Sequence, residues 1–185
     1  MSDRRDMGSI RLATLEDADE IDALMKASIR DIFPLFYDES QTASAVTHVG
    51  SVDLALVEDG TYFVIEEAGT IIACGGWSRR DKLYTGSGSA GSDARPLDPS
   101  TEPARVRAMF VSADWARRGL GTRILQACER AAGAEGFRRL ALMATLPGLL
   151  LYERYGFEAA ERTTIRLPDG VELETVAMQK PVEDV

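Results

Sequence analysis

Several things are scarce in this chain of 185 residues. It carries a single histidine, His48, and two cysteines, Cys74 and Cys128, far apart in sequence. That spacing makes neither a zinc motif nor a disulfide framework, and without a second histidine or an acid cluster at ligand spacing no metal is expected. Two separate thiols fit a reducing, cytoplasmic setting. No stretch approaches the ~18 consecutive apolar residues of a membrane span, and residues 1–7 lack the apolar core of an export signal. Positive charge is short as well. The 21 Lys and Arg stand against 30 Asp and Glu, a net charge of −9, so general nucleic-acid binding, which rests on Lys and Arg at phosphates, is not expected.

What is present is an ordinary globular composition, 45% apolar and 28% charged, which argues for a folded chain. The length suits one domain over residues 1–185, with a core large enough to need no staple. The acidic average hides a local reversal. Between residues 103 and 139 eight arginines face three acids, Asp114, Glu129 and Glu135. A basic segment in an acidic protein suggests a local site for a small anion, although Arg130, Arg138 and Arg139 fit a solvated helix face more simply.

Periodicity places the elements. Residues 9–13 make a short strand, and Thr14-Leu-Glu-Asp17 fits a capping box at the start of a helix. In that helix Ile21, Leu24, Met25, Ile29 and Ile32 recur at helical spacing up to Pro34. A second helix covers 39–49. Strands 61–66 and 70–78 join through Ala68-Gly69 as a hairpin, and a further strand covers 105–112. The Gly/Ser/Pro-rich stretch 79–103 before it is expected to be a mobile loop. Helix 119–135 sets Leu120, Ile124, Cys128 and Ala131 on one stripe. Strand 139–144 then leads into a short helix, 147–155, with Pro147 in its first turn and Gly156 just past its end. Strands 157–167 and 171–180 pair across Pro168-Asp-Gly170. The order predicts an α+β or mixed α/β fold, a mostly antiparallel seven-stranded sheet flanked by about four helices.

Two glycine-rich segments compete for a phosphate. Gly86-Ser-Gly-Ser-Ala-Gly91 matches the G-x-G-x-x-G dinucleotide fingerprint letter for letter. That fingerprint works only where a helix begins inside it and offers free N–H groups to a pyrophosphate. Here Pro96 and Pro99 stand where the helix would run, so a Rossmann assignment fails. The other segment is Arg117-Arg-Gly-Leu-Gly121, a turn between a strand and a long amphipathic helix. Its glycines let backbone approach a ligand, and the helix end and Arg117 and Arg118 add positive charge. From these residues alone it is either a pyrophosphate cradle or simply a tight turn.

About 30 residues later Leu150-Leu-Tyr-Glu-Arg-Tyr-Gly-Phe157 ends a short helix in a Gly-Phe step. Together the two segments resemble the GNAT superfamily of acyl-CoA-dependent N-acetyltransferases. Gly119 and Gly121 match its Q/R-x-x-G-x-G/A turn, and Leu151, Tyr152, Gly156 and Phe157 match its L-Y-x-x-x-G-F helix. The element order fits that fold over nearly the whole chain. The resemblance implies a CoA pyrophosphate held by Arg117, Arg118, Gly119, Leu120, Gly121 and Thr122, largely through backbone N–H groups. It implies a pantetheine arm bonded along Met109, Phe110 and Val111, beside a splay between the fourth and fifth strands. It also implies Tyr152 near the sulfur, protonating the departing thiolate, a task a phenol within hydrogen-bond reach can perform. Tyr155, three residues on, competes for that description.

The chain also departs from the family. Ala116 stands first in the turn, where Gln or Arg is usual, with Arg117 and Arg118 beside it in compensation. Thr145 and Gly148 replace the frequent Asn and Ala ahead of the tyrosine helix. Where some relatives carry a glutamate base on the fourth strand, this chain has Arg105. Alternation puts Arg105, Arg107 and Met109 on one face of that strand and Val106, Ala108 and Phe110 on the other. The base is then a water chain or a carboxylate from elsewhere, such as Glu66, Glu67 or Glu102. The arginines suggest an acceptor whose carboxylate or phosphate pairs with Arg107 or Arg105, the plainer account being arginines bridged within the protein. Phe33, Phe36, Tyr37 and Trp77 fall where the family borders its acceptor site, as pocket walls or as core.

The expectation is an enzyme moving the acetyl group of acetyl-CoA to a primary amine of a small molecule in a ternary complex. A protein N-terminus or lysine is the alternative acceptor, and a non-catalytic acyl-CoA binder the alternative class. A cysteine-linked route ranks behind direct transfer, since both thiols are expected to be buried. Many relatives dimerise, which allows a homodimer, although no segment marks an interface.

Overall fold

The computed structural model describes residues 7–82 and 95–183. Seven strands form one sheet: β1 (Ser9–Leu12), β2 (Tyr62–Glu67), β3 (Thr70–Ser78), β4 (Ala104–Val111), β5 (Arg139–Thr145), β6 (Glu158–Arg166) and β7 (Glu172–Pro181). Their order is β1-β2-β3-β4-β5-β7-β6, and every neighbouring pair is antiparallel except β4 and β5. That one parallel step needs a crossover, and the amphipathic helix α4 (Leu120–Ala134) supplies it. Ala68 and Gly69, with φ of +49° and +80°, close the β2–β3 hairpin in the left-handed region its tight turn demands.

Helices α1 (Ala18–Ile32), α2 (Glu39–His48) and α3 (Leu54–Glu58) cover one face of the sheet. α4 and α5 (Leu149–Tyr155) cover the other. The helical repeat in α1 buries Ile21, Leu24, Met25 and Ile29, with Ser28 between them. In α4 it buries Leu120, Ile124, Leu125 and Cys128, and full burial of such a side chain contributes roughly 1.5–3 kcal/mol. The box at Thr14 forms with Asp17 as its centre: both the N–H and the hydroxyl of Thr14 donate to that carboxylate, which also holds Arg11. The chain there enters α1 through a 3-10 turn at Leu15–Asp17.

The short helix α3 has no counterpart in the periodicity. Its five residues are too few to show a repeat, and Asp53 starts it by accepting the Ala55 N–H at 3.1 Å. Gly86–Gly91 lies outside the described residues, as does much of the stretch expected to be a mobile loop. At the base of that stretch Arg80 and Pro96 form a bridge, and Arg95 pairs with Glu102 at 2.5 Å.

Candidate active site

The site begins where β4 and β5 part. They pair only at Ala104↔Leu140 and Arg105↔Ala141. Past that point β5 follows β7 to Thr145, while β4 follows β3 to Val111. The wedge between them is a cavity of about 210 Å³, lined by β4 from Val106 to Val111, by Leu142, Met143 and Thr145 of β5, and by Leu151 and Tyr152 of α5.

A bulge in β4 lies at the same place. The register with β3 shifts between Cys74 and Gly76, and Ala108 takes φ of +52°, a left-handed conformation rare for alanine. Neighbouring residues hold it. Tyr62, fully buried on β2, donates its hydroxyl to the Ala108 carbonyl at 2.7 Å. Its ring passes β3 at Gly76, where a Cβ would stand 2.7 Å from it, and on the other face the Met109 thioether fills the space a side chain at Gly75 would need. Because a trans peptide is planar, turning the Ala108 carbonyl toward Tyr62 points the Met109 N–H the opposite way.

The bulge corrects the expected faces of β4. Its extra residue takes Met109 away from Arg107 and puts it in the core beneath α4, while Ala108 and Phe110 pack on the α1 face. Met109, Phe110 and Val111 nonetheless all border the wedge. The Val111 carbonyl accepts the Ser28 hydroxyl at 3.0 Å.

From Val111 the chain runs into the turn that starts α4. Arg117 (φ +63°) and Gly119 (φ +80°) are both left-handed, and Gly119 is the cap. Helix geometry leaves the N–H groups of Leu120, Gly121 and Thr122 without intrahelical acceptors. That of Arg123 is bonded to the Gly119 carbonyl at 3.1 Å. With Arg117 and Arg118 exposed beside it, this end of a four-turn helix has the electrostatics of an anion site. The two glycines serve different needs. Gly119 is there for its φ, whereas a Cβ at Gly121 would stand 2.7 Å from a Leu151 methyl group, so Gly121 lets α5 approach α4.

On α5 the two tyrosines separate cleanly. The Tyr155 hydroxyl donates to Glu129 at 2.5 Å, in a cluster where Glu129 also holds Lys180 at 2.7 Å. Tyr152 borders the wedge, and its hydroxyl has no hydrogen-bond partner among the described residues. Its ring packs edge-on against Phe157 and close over Gly148, where a Cβ would stand 2.7 Å away. Gly148 thus makes room for the ring. Burial pushes the Tyr152 phenol well above its ordinary value, so near neutral pH it is a proton donor and not a base.

The other expected residues are placed less uniformly. Phe33 borders the wedge, but Tyr37 does not: its hydroxyl donates to the Glu174 carbonyl at 2.7 Å and accepts the Leu146 N–H at 2.9 Å. Phe36 is exposed. Trp77 is 1% exposed and packs edge-on against Phe137 in the core under α4, which removes it from the pocket wall. Arg107 borders the wedge and pairs with Asp53 at 3.0 Å, a carboxylate that Lys82 also meets at 3.1 Å. Burial pushes Asp53 up, but the two cations more than offset it and hold it below the usual carboxylate range. Arg105 pairs with Asp81 at 3.0 Å. Glu66 pairs with Arg11 and Glu102 with Arg95, and Glu66, Glu67 and Glu102 all stand away from the wedge lining.

Burial pushes Cys74 up to about 12 and Cys128 higher still, so neither is a thiolate ready to accept an acyl group. His48 lies 3.5 Å from Asp169 at the surface end of α2. Tyr62 and Asp53 are the contributors that pattern reasoning misses. The pair Gly75-Gly76 inside a strand was the available signal, since such glycines mark a bulge or a close approach.

Residues 58–159 match the family model described as an acetyltransferase (GNAT) domain. The chain belongs to the GNAT acetyltransferases. The match takes in β2 to β5, α4 and α5, and with them the β4, β5 and α5 walls of the wedge. Solved structures agree on the fold. A GCN5-related N-acetyltransferase from Rhodopseudomonas palustris superposes with a TM-score of 0.72 at 21% identity, covering 95% of this chain and 96% of that one. The PaiA N-acetyltransferase of Thermoplasma acidophilum, solved in complex with coenzyme A, gives 0.66 at 14% identity, covering 94% and 98%. A ribosomal-protein-alanine N-acetyltransferase from Brucella melitensis gives 0.61 at 16% identity, covering 94% and 99%. No curated protein sequence matches the chain. Family membership makes an acyl-CoA the expected partner of this GNAT domain.

Proposed function

We propose that this GNAT domain transfers the acetyl group of acetyl-CoA to a primary amine of a small molecule, by direct attack in a ternary complex in the cytoplasm. The α4 turn, from Arg117 and Arg118 through Gly119, Leu120, Gly121 and Thr122, would hold the pyrophosphate. Met109, Phe110 and Val111 would hold the pantetheine arm along the edge that β4 exposes once β5 has left it. The bound thioester supplies an activated acyl carbon. One bond forms, from the amine nitrogen to that carbon, and the carbon–sulfur bond breaks with its electron pair leaving on sulfur. Tyr152 gives the sulfur its hydroxyl proton, and the proton shed by the amine returns to Tyr152 through water, which closes the balance.

The observation that carries this reading is the contrast on α5: the Tyr155 hydroxyl is bound to Glu129, while the Tyr152 hydroxyl borders the wedge with no partner among the described residues. The raised phenol suits the task. A thiolate released among apolar walls is desolvated too, as the two buried cysteines illustrate, so a donor in place stabilises it where water has little access. The test is release of CoA thiol from acetyl-CoA with and without candidate amines. Amine-stimulated release above the hydrolysis rate supports the reading. Acetyl-CoA binding without any stimulated release would favour a non-catalytic binder.

A further inference from the structure

The wedge has a second side, whose walls bear on the acceptor. There the cavity meets Ile32 and Phe33 at the end of α1, Val49 just past α2, Phe110 of β4, Met143 of β5 and Ile165 of β6. All six are apolar. Of the polar side chains there, the Ser28 hydroxyl donates to the Val111 carbonyl, the Thr175 hydroxyl donates to the Thr163 carbonyl, and Arg107 is paired with Asp53, which leaves the Thr145 hydroxyl as an uncharged hydrogen-bonding group on this side. Among the described residues no Asp or Glu lines the cavity. The apolar character continues outward, since Leu35 and Phe36, in the turn that Phe33 begins, are 79% and 48% exposed.

These walls sort acceptors by their chemistry. A polyamine brings a further ammonium, which would lose its hydration here with no carboxylate from the lining to replace it. An acidic amine would need a cation, and the guanidinium at hand already has Asp53. An apolar group, by contrast, gains by leaving water for such a wall. We propose that the acceptor is an amine with an apolar body, an aliphatic or aromatic group of about leucine to phenylalanine size next to the nitrogen, which packs among Ile32, Phe33, Val49, Phe110 and Ile165. The proposal rests on the acetyl-transfer reading above.

Simple α-amino amides test it, because they vary the body while keeping the same kind of amine. With acetyl-CoA as donor, kcat/KM is measured for glycinamide, leucinamide, phenylalaninamide, lysinamide and the α-amide of aspartate. Leucinamide and phenylalaninamide should exceed glycinamide by about 10- to 100-fold, the range expected for burying such a side chain. Lysinamide and the aspartate amide should not exceed glycinamide. Ile32 is only half-buried, so Ile32→Asp is tolerable to the fold, and it should reduce the leucinamide preference and raise lysinamide. Calorimetric binding of acetyl-CoA to the same preparations separates two kinds of failure. If acetyl-CoA binds and the amides react equally, react no faster than hydrolysis, or favour lysinamide, the apolar acceptor is overturned and the donor site stands. If acetyl-CoA does not bind, the transfer reading falls and the acceptor proposal with it.

Discussion

The two sides of the wedge are made of different material. On the α4–α5 side the elements are backbone: an open β4 edge, a left-handed turn at Arg117 and Gly119, and the first N–H groups of α4, with the Tyr152 side chain bordering the gap. On the α1 side they are side chains, mainly apolar, drawn from α1, β4, β5 and β6 and from the residue after α2. A molecule of fixed structure, such as the pantetheine and pyrophosphate of an acyl-CoA, can be met by backbone geometry that a few glycines enforce. A variable acceptor is met by side chains, which change without disturbing the fold. Each side should therefore fail in its own way when perturbed.

The largest effect is expected on the tyrosine side. Tyr152→Phe should lower kcat by about 10²- to 10⁴-fold, as loss of a general acid does, with acetyl-CoA affinity little changed. Tyr155→Phe should instead cost about 1 kcal/mol of stability by removing a hydrogen bond to Glu129. Equal losses of kcat in the two variants would erase the distinction between these hydroxyls.

Next comes the buried pair on the α1 side. Asp53→Asn leaves the Arg107 guanidinium without its carboxylate, and denaturant titration should show a loss of about 3 kcal/mol. If the two sides are independent, acetyl-CoA affinity of the folded variant stays within about threefold, near the additivity expected of separate sites. A collapse of donor binding would show that the sides are coupled.

Tyr62→Phe sharpens the boundary between them, since Tyr62 reaches from the α1 face to hold the bulge. Loss of this hydrogen bond of ~1.4 kcal/mol frees the peptide that turns the Met109 N–H toward the proposed pantetheine arm, and should raise KM for acetyl-CoA by up to about tenfold, with kcat nearly constant. A merely structural role would lower the melting temperature and leave KM of the folded enzyme intact.

The smallest effect is a dependence on acid behind α5. Burial pushes the Glu129 carboxyl up, but Lys180, Tyr155 and the Glu183 N–H together hold it below its ordinary value of 4.5. Its contribution to stability is therefore complete above that value and lost as pH falls through the lower folded one. Thermal melts should show Glu129→Gln losing part of the wild type's decline between neutral and acidic pH. An identical decline in both proteins would remove Glu129 from the account.

The unequal construction also explains what pattern reasoning reaches. The long helices and the central strands stand out because their apolar residues recur over many positions, β6 and β7 because Pro168-Asp-Gly170 separates them, and α3, with only five residues, shows no repeat. The proposed donor side is legible because its parts are contiguous: Arg117 to Thr122 in one run, Leu151 to Phe157 in another. Even there Gly121 has a cause no spacing reveals, the approach of Leu151. Alternation fails at Met109 because one extra residue in β4 reverses every later side chain, and only the Gly75-Gly76 pair hints at it. Trp77 and Tyr37 look like pocket residues by type and position, but partners distant in sequence, Phe137 and Glu174, give each a different occupation. Arg107 does border the wedge, paired there with Asp53.

The most direct test of the central claim is a crystal structure of the protein with CoA. The thiol should lie within hydrogen-bond reach of the Tyr152 hydroxyl, with the pyrophosphate on the N–H groups of Leu120, Gly121 and Thr122 and the pantetheine arm along the β4 edge. CoA seated elsewhere, or a thiol directed to Tyr155 instead, would contradict the account.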